Sequence, residues 1–118
     1  MNDQQLLELA AKAAGIEVWP GTGFQAHMLF TRPAKADPDG KVTGVEWNPR
    51  DDDGDALRLA VSLRLDVTFV GNMVVVYWYD ERTLMSGAFE EPINDAQDER
   101  EATRRAIVRA AAAIGKEM

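Results

Sequence analysis

Residues 65–70 and 73–79 read Leu-Asp-Val-Thr-Phe-Val and Met-Val-Val-Val-Tyr-Trp-Tyr, two β-rich runs separated only by Gly71-Asn72. A two-residue loop with glycine first closes a hairpin and places Gly71 at positive φ. Such a loop leaves one register, with Val70 opposite Met73, Phe69 opposite Val74, Val67 opposite Val76 and Leu65 opposite Trp78. Side chains alternate between faces, so Leu65, Val67, Phe69, Val74, Val76 and Trp78 line one side and require cover by helices. The other side collects Asp66, Thr68, Val70, Met73, Val75, Tyr77 and Tyr79, too apolar for open water and too polar for a deep core. Cover for part of it is expected from a terminal helix, another strand's side chains or a second subunit.

The chain before this hairpin is a helix with a marked beginning. Asn48-Pro49 halts whatever precedes it, because the residue before a proline is pushed out of the α region. Asp51, Asp52 and Asp53 then offer side-chain oxygens to the free amides of a first turn. Leu57, Ala60, Val61 and Arg64 fall on one stripe with Leu59 and Leu63 beside it, while Arg58 and Ser62 face water. A good cap stabilises by about 1 kcal/mol, and each buried Leu or Val by about 1.5–3 kcal/mol. Packing therefore holds this helix, and the acids say where it begins.

Two more helices lie at the ends. Asn2 caps the first with Gln5 as its capping-box partner, Leu6, Leu7, Ala10, Ala13 and Ala14 form its buried stripe, and Gly15 ends it. The last is capped by Asn94 or Asp95, carries acids in its first turns and Arg104, Arg105 and Arg109 later, and buries Ala102, Ala106, Ile107, Ala110, Ala111, Ala113 and Ile114, with Gly115 as its stop. Between them, residues 24–30 alternate as a strand candidate and residues 41–47 return as a weaker one around a Pro- and Gly-rich loop. Residues 84–90 supply a third antiparallel strand to the meander. The reading is a single α+β domain, three helices on an antiparallel sheet of three to five strands, in an α/β/α sandwich.

Composition bounds the chemistry. A chain of 118 residues that is 46% hydrophobic suits one core. With no cysteine there is no disulfide, thiolate metal site or cysteine nucleophile. A net charge of -7 argues against a nucleic-acid partner bound through a basic patch. No stretch reads as a signal peptide or a membrane span, so a soluble protein of the cytoplasm, with no membrane partner, is expected.

Motifs of catalysis are sparse. His27 stands alone, which removes histidine dyads and multi-histidine metal sites by arithmetic. Asp37, Asp39, Gly40 and Glu46 overlap the spacing of a calcium loop, but Lys35 occupies the first ligand position, so a turn explains them better. The acids around Gly54 imitate such a loop with its end ligands missing, and a helix cap accounts for them. Gly21-Thr22-Gly23 lacks the third glycine and the lysine of a phosphate loop, and Ser62 and Ser86 have no partner base. The expectation is no catalytic residue, no metal ligand and no cofactor.

Three stretches carry a resemblance. Trp47-Asn48-Pro49, the run from Asp52-Asp53-Gly54-Asp55 to Leu59-Ala60-Val61, and residues 102–115 resemble the phage ABA sandwich domain family of small bacteriophage and prophage proteins, and the first helix is similar. The resemblance implies an α/β/α sandwich of phage origin in a bacterial host cell and implies no activity. The leading expectation is a non-enzymatic module that binds an unidentified protein or itself, with Tyr77, Tyr79, Asp66, Asp51 and Asp52 as its interaction surface. Two alternatives are a small carboxylate- or metal-dependent hydrolase built on residues 51–55 or on Asp37, Asp39 and Glu46, and an acidic DNA mimic that inhibits a host protein.

Overall fold

The computed structural model describes residues 2–31, 35–36, 42–43, 45–95 and 98–118. Among these, three α-helices, α1 (Asp3–Ala14), α2 (Asp53–Ser62) and α3 (Asp98–Lys116), accompany seven strands: β1 (Trp19–Pro20), β2 (Leu29–Phe30), β3 (Lys35–Ala36), β4 (Val42–Thr43), β5 (Asp66–Val70), β6 (Met73–Asp80) and β7 (Met85–Pro92). β5, β6 and β7 form an antiparallel meander, and β1–β2 and β3–β4 are two-residue ladders. The class is α+β, as the residue pattern requires.

The two-residue loop sets the hairpin register. Val70 faces Met73, Phe69 faces Val74 and Val67 faces Val76. Gly71 adopts φ 59° while Asn72 stays out of the left-handed region, the pattern of a type II′ turn. β7 continues through Pro92, two residues past the expected end, with Met73 opposite Pro92 and Asp80 opposite Met85. Proline is tolerated there because β7 is an edge strand.

α3 is the middle of the molecule. It packs on β6 and β7 on one side and on α1 on the other, with α2 beside it. Ala106, Ile107, Ala110 and Ile114 are buried, and so are Val108, Ala111, Ala112 and Gly115, which leaves few of its positions wet beyond the first turns. The layers therefore run sheet, α3, α1. Both helical layers stack on one face of the sheet. The reason lies in α3's small residues, which let a second helix approach its outer side. Gly115 is likewise no stop signal, because α3 runs on to Lys116 and a Cβ at position 115 would strike the Leu9 carbonyl oxygen of α1.

Local signals at the helix starts hold. The Asn2 side chain accepts the Gln5 amide at 2.8 Å, the Gln5 side chain accepts the Asn2 amide at 2.9 Å, and Gly15 closes α1 at φ 71°. Asp52 caps α2 by accepting the Asp55 amide at 2.8 Å, and Asp95 accepts the Asp98 amide at 2.9 Å ahead of α3.

Two expectations fail on tertiary grounds. The buried stripe of α2 is Ala56, Leu59 and Ala60, with Leu63 partly buried, whereas Leu57 and Val61 are 64% and 68% exposed. Alanines on the inner side let α2 lie close to α3, and that outweighs the larger residues one position on. Residues 24–28 are not strand: Gly23–Gln25 form one 3₁₀ turn, the Gly21 amide donates to the Met28 carbonyl at 3.0 Å, and only Leu29–Phe30 pair, with β1. The second half of the expected hairpin survives as a bridge from Phe30 to Glu46, with the Trp47 amide donating to the Leu29 carbonyl at 2.8 Å. That contact seats Leu29 and Trp47 in the core shared by all three helices, Val74, Val76 and Trp78. Asp37, Asp39 and Gly40 lie outside the described residues.

Candidate functional site

Because the helices take the Val74, Val76 and Trp78 side of the sheet, the opposite side is left open. Directly paired residues of an antiparallel ladder share a face, so three cross-strand rows make up this surface: Asp66, Tyr77 and Ala88; Thr68, Val75 and Glu90; Val70, Met73 and Pro92. Tyr79 opposite Ser86 extends it. Tyr77 is 47% exposed and Tyr79 55%, and Val70 is exposed at the turn, whereas Val75 in the centre is buried by its neighbours. Thr68 donates to Asp66 at 2.8 Å, orienting that carboxylate on the face beside Tyr77. The structure thus brings Tyr77, Tyr79 and Asp66 together.

Asp51 and Asp52 are elsewhere, in the turn that starts α2. Asn48 donates from its side chain to Asp51 at 2.9 Å, and Asp52 is the α2 cap. Asp55 accepts the Asn48 amide at 2.9 Å and Arg58 at 2.7 Å. Asp53 receives Arg104 at 2.5 Å, and Arg104 also donates to the Arg50 carbonyl at 2.8 Å. Arg50 in turn pairs with Asp3 of α1. The acidic cluster is therefore a cap laced to α1 and α3 by arginines. Among the described residues, no group of three or more His, Asp or Glu side chains is placed to hold a metal ion. Arg100 of α3 also approaches Asp53, at 3.7 Å, while Arg105 and Arg109 serve β7: Arg109 donates to Glu91 at 2.7 Å and stacks over Phe89 at 4.7 Å, and Arg105 reaches Glu91 at 3.6 Å.

Two concave features escaped the sequence reading. An apolar cleft of about 380 Å³ opens between α2, α3 and β5, lined by Ala56, Leu57, Ala60, Val67, Phe69 and Ile107, with Asp53, Glu99, Arg100 and Arg104 around it. Phe69, assigned to the core face, is 54% exposed at its edge. The available signal was Leu57, an apolar residue in excess of what one helix stripe buries. A second, polar depression of about 570 Å³ lies between the start of α1 and residues 46–51, lined by Asp3, His27, Glu46, Asn48, Arg50 and Asp51 among others. His27 reaches it because it sits in a turn rather than on a strand.

Among the described residues, Asp80, the last residue of β6, has its titration shifted by its surroundings. Its side chain is only 4% exposed, and the Arg82 guanidinium and amide both donate to it, at 3.2 and 3.0 Å. Those bonds, led by the Arg82 side chain, hold its carboxyl below the ordinary carboxylate value against the opposing effect of burial. This is turn chemistry: the Leu84 amide returns to the Asp80 carbonyl at 2.8 Å with Leu84 at φ 60°, which aims the chain back into β7. Among the described residues, no helix is long and apolar enough to cross a membrane. Comparison of the whole chain with known protein families, with curated proteins and with solved structures finds no match.

Proposed function

We propose that the protein is a non-enzymatic protein-binding module of phage or prophage origin, acting in the cytoplasm of a bacterial host and presenting the open sheet face to its partner. The observation that carries this reading is the exposure of Tyr77 and Tyr79 side by side on a strand whose other face is fully packed. A tyrosine offers a large rigid apolar surface with a polar tip, which suits a protein interface. Asp66 adds a directional charge beside Tyr77. Phage origin is supported by the resemblance carried by residues 47–49, 52–61 and 102–115, whose work as cap and packing surface fits a scaffold rather than a reaction centre.

The test is affinity capture from lysate of the source cell with the wild-type chain and with a Tyr77→Ser, Tyr79→Ser double variant, each shown to be folded. The reading predicts a stoichiometric protein partner retained by the wild type and lost by the variant. Equal recovery by both, or none by either, contradicts it.

A further inference from the structure

The sheet has two edges, and they differ in how far their residues discourage pairing. β7 presents Gly87, Glu90, Glu91 and Pro92, the charges and proline by which edge strands avoid adding another strand. β5, Asp-Val-Thr-Phe-Val, has no lysine, proline, glycine or bulge, and among the described residues nothing pairs with its outer edge. We propose that this edge joins two copies of the chain, β5 pairing antiparallel with β5 of a second copy about a twofold axis at Thr68 to make one six-stranded sheet. The proposal goes beyond the protein-binding reading, because the β5 edge is a surface separate from the open face of Tyr77 and Tyr79.

The register follows from the hairpin. In a two-residue hairpin the pair closing the turn, Val70 and Met73, exchanges hydrogen bonds, so Asp66, Thr68 and Val70 direct their peptide groups to β6. Val67 and Phe69 direct theirs outward. An antiparallel copy centred on Thr68 sets Val67 against the second copy's Phe69 and Phe69 against its Val67, and both pairs exchange backbone hydrogen bonds. The strand fits itself because its outward pattern, apolar, threonine, apolar, is symmetric about that axis. Its one charge, Asp66, falls opposite Val70 of the other copy. The two Asp66 carboxylates are then four residues apart along the ladder, roughly 13 Å, beyond the screening length of about 8 Å at physiological salt. Phe69 is 54% exposed on the helix side, next to the apolar cleft that Val67, Leu57 and Ala60 line. Each copy's Phe69 therefore arrives beside the other's Val67, at the open side of that cleft, and covers apolar surface that the single chain leaves wet.

Light scattering across a concentration series reads the mass, and backbone amide exchange reads the register. The expected result is a mass that rises from 13.1 kDa toward twice that value, with the Val67 and Phe69 amides protected in concentrated solution and unprotected on dilution. Phe69→Lys is expected to return the mass to that of one chain. Val70→Lys, one residue away, is expected to keep or tighten the pair, because the new ammonium faces Asp66 of the other copy. A wild type that stays a monomer when concentrated, or unprotected Val67 and Phe69 amides in a dimer, or equal effects of the two lysine variants, overturns the proposal. Should Phe69→Lys fail to fold, the amide pattern of the wild type decides. A monomer that still captures a partner through Tyr77 and Tyr79 overturns this inference alone and leaves the protein-binding reading standing.

Discussion

Replacing Gly115 with alanine tests the layer order directly, because two contributions there have opposite sign. In a helix flanked by water, glycine to alanine stabilises by up to about 1 kcal/mol through backbone entropy. At position 115 a Cβ would be driven into the Leu9 carbonyl oxygen, a backbone atom of α1 that cannot swing aside. Overpacking of this kind costs about 1–3 kcal/mol, and a rigid backbone neighbour puts Gly115→Ala at the upper end of that range. The net expectation is a loss of about 2 kcal/mol, the overpacking cost less the propensity gain. At about 4 °C per kcal/mol for a domain of this size, the thermal midpoint falls by roughly 8 °C. Urea titration followed by circular dichroism gives the free energy, and a heating scan the midpoint. A midpoint that rises shows that α1 does not lie against α3 at Leu9, and the sheet, α3, α1 order would then be wrong.

Gly87→Ala should also destabilise, by about 1–3 kcal/mol, because the added carbon would sit 2.7 Å from the Trp78 indole nitrogen and 2.9 Å from its ring; strand propensity alone predicts a small gain, so the sign in a denaturant titration separates the two. Asp80 is depressed in the folded state, so its contribution is present in full above the ordinary carboxylate value and is lost as pH falls through the depressed one. Asp80→Asn should accordingly be less stable than wild type near neutrality, and the gap should close as the pH is lowered below that range. A gap of constant size down to low pH refutes the role given to the Arg82 pair.

What was legible in the sequence was what local chemistry decides. The hairpin register followed from two loop residues and alternation, and the helix starts followed from Asn2 and Asp52, whose side chains bond amides three residues on. What was not legible was decided by distant neighbours. α2 offers apolar side chains on more than one stripe, and only the presence of α3 selects Ala56, Leu59 and Ala60 over Leu57 and Val61. Gly115 reads as a stop until α1 is known to lie across it. Residues 24–28 alternate like a strand, yet the turn through Gly21 and Gly23 takes precedence. Of the candidate surface, Tyr77, Tyr79 and Asp66 were placed together by the register, but Asp51 and Asp52 share only exposure with the tyrosines and acidity with Asp66, not position.

The protein-binding reading rests on one surface, and the chain supplies its own probe for it. Its two tyrosines, Tyr77 and Tyr79, both lie on the open face. Tyrosine-selective labelling, read residue by residue by mass spectrometry, therefore compares that face in the purified protein and in lysate of the source cell, at matched reagent exposure. The account predicts ready modification of both residues in the purified chain and strong protection of both in lysate. Equal modification in the two settings would contradict the claim that a protein partner covers this face.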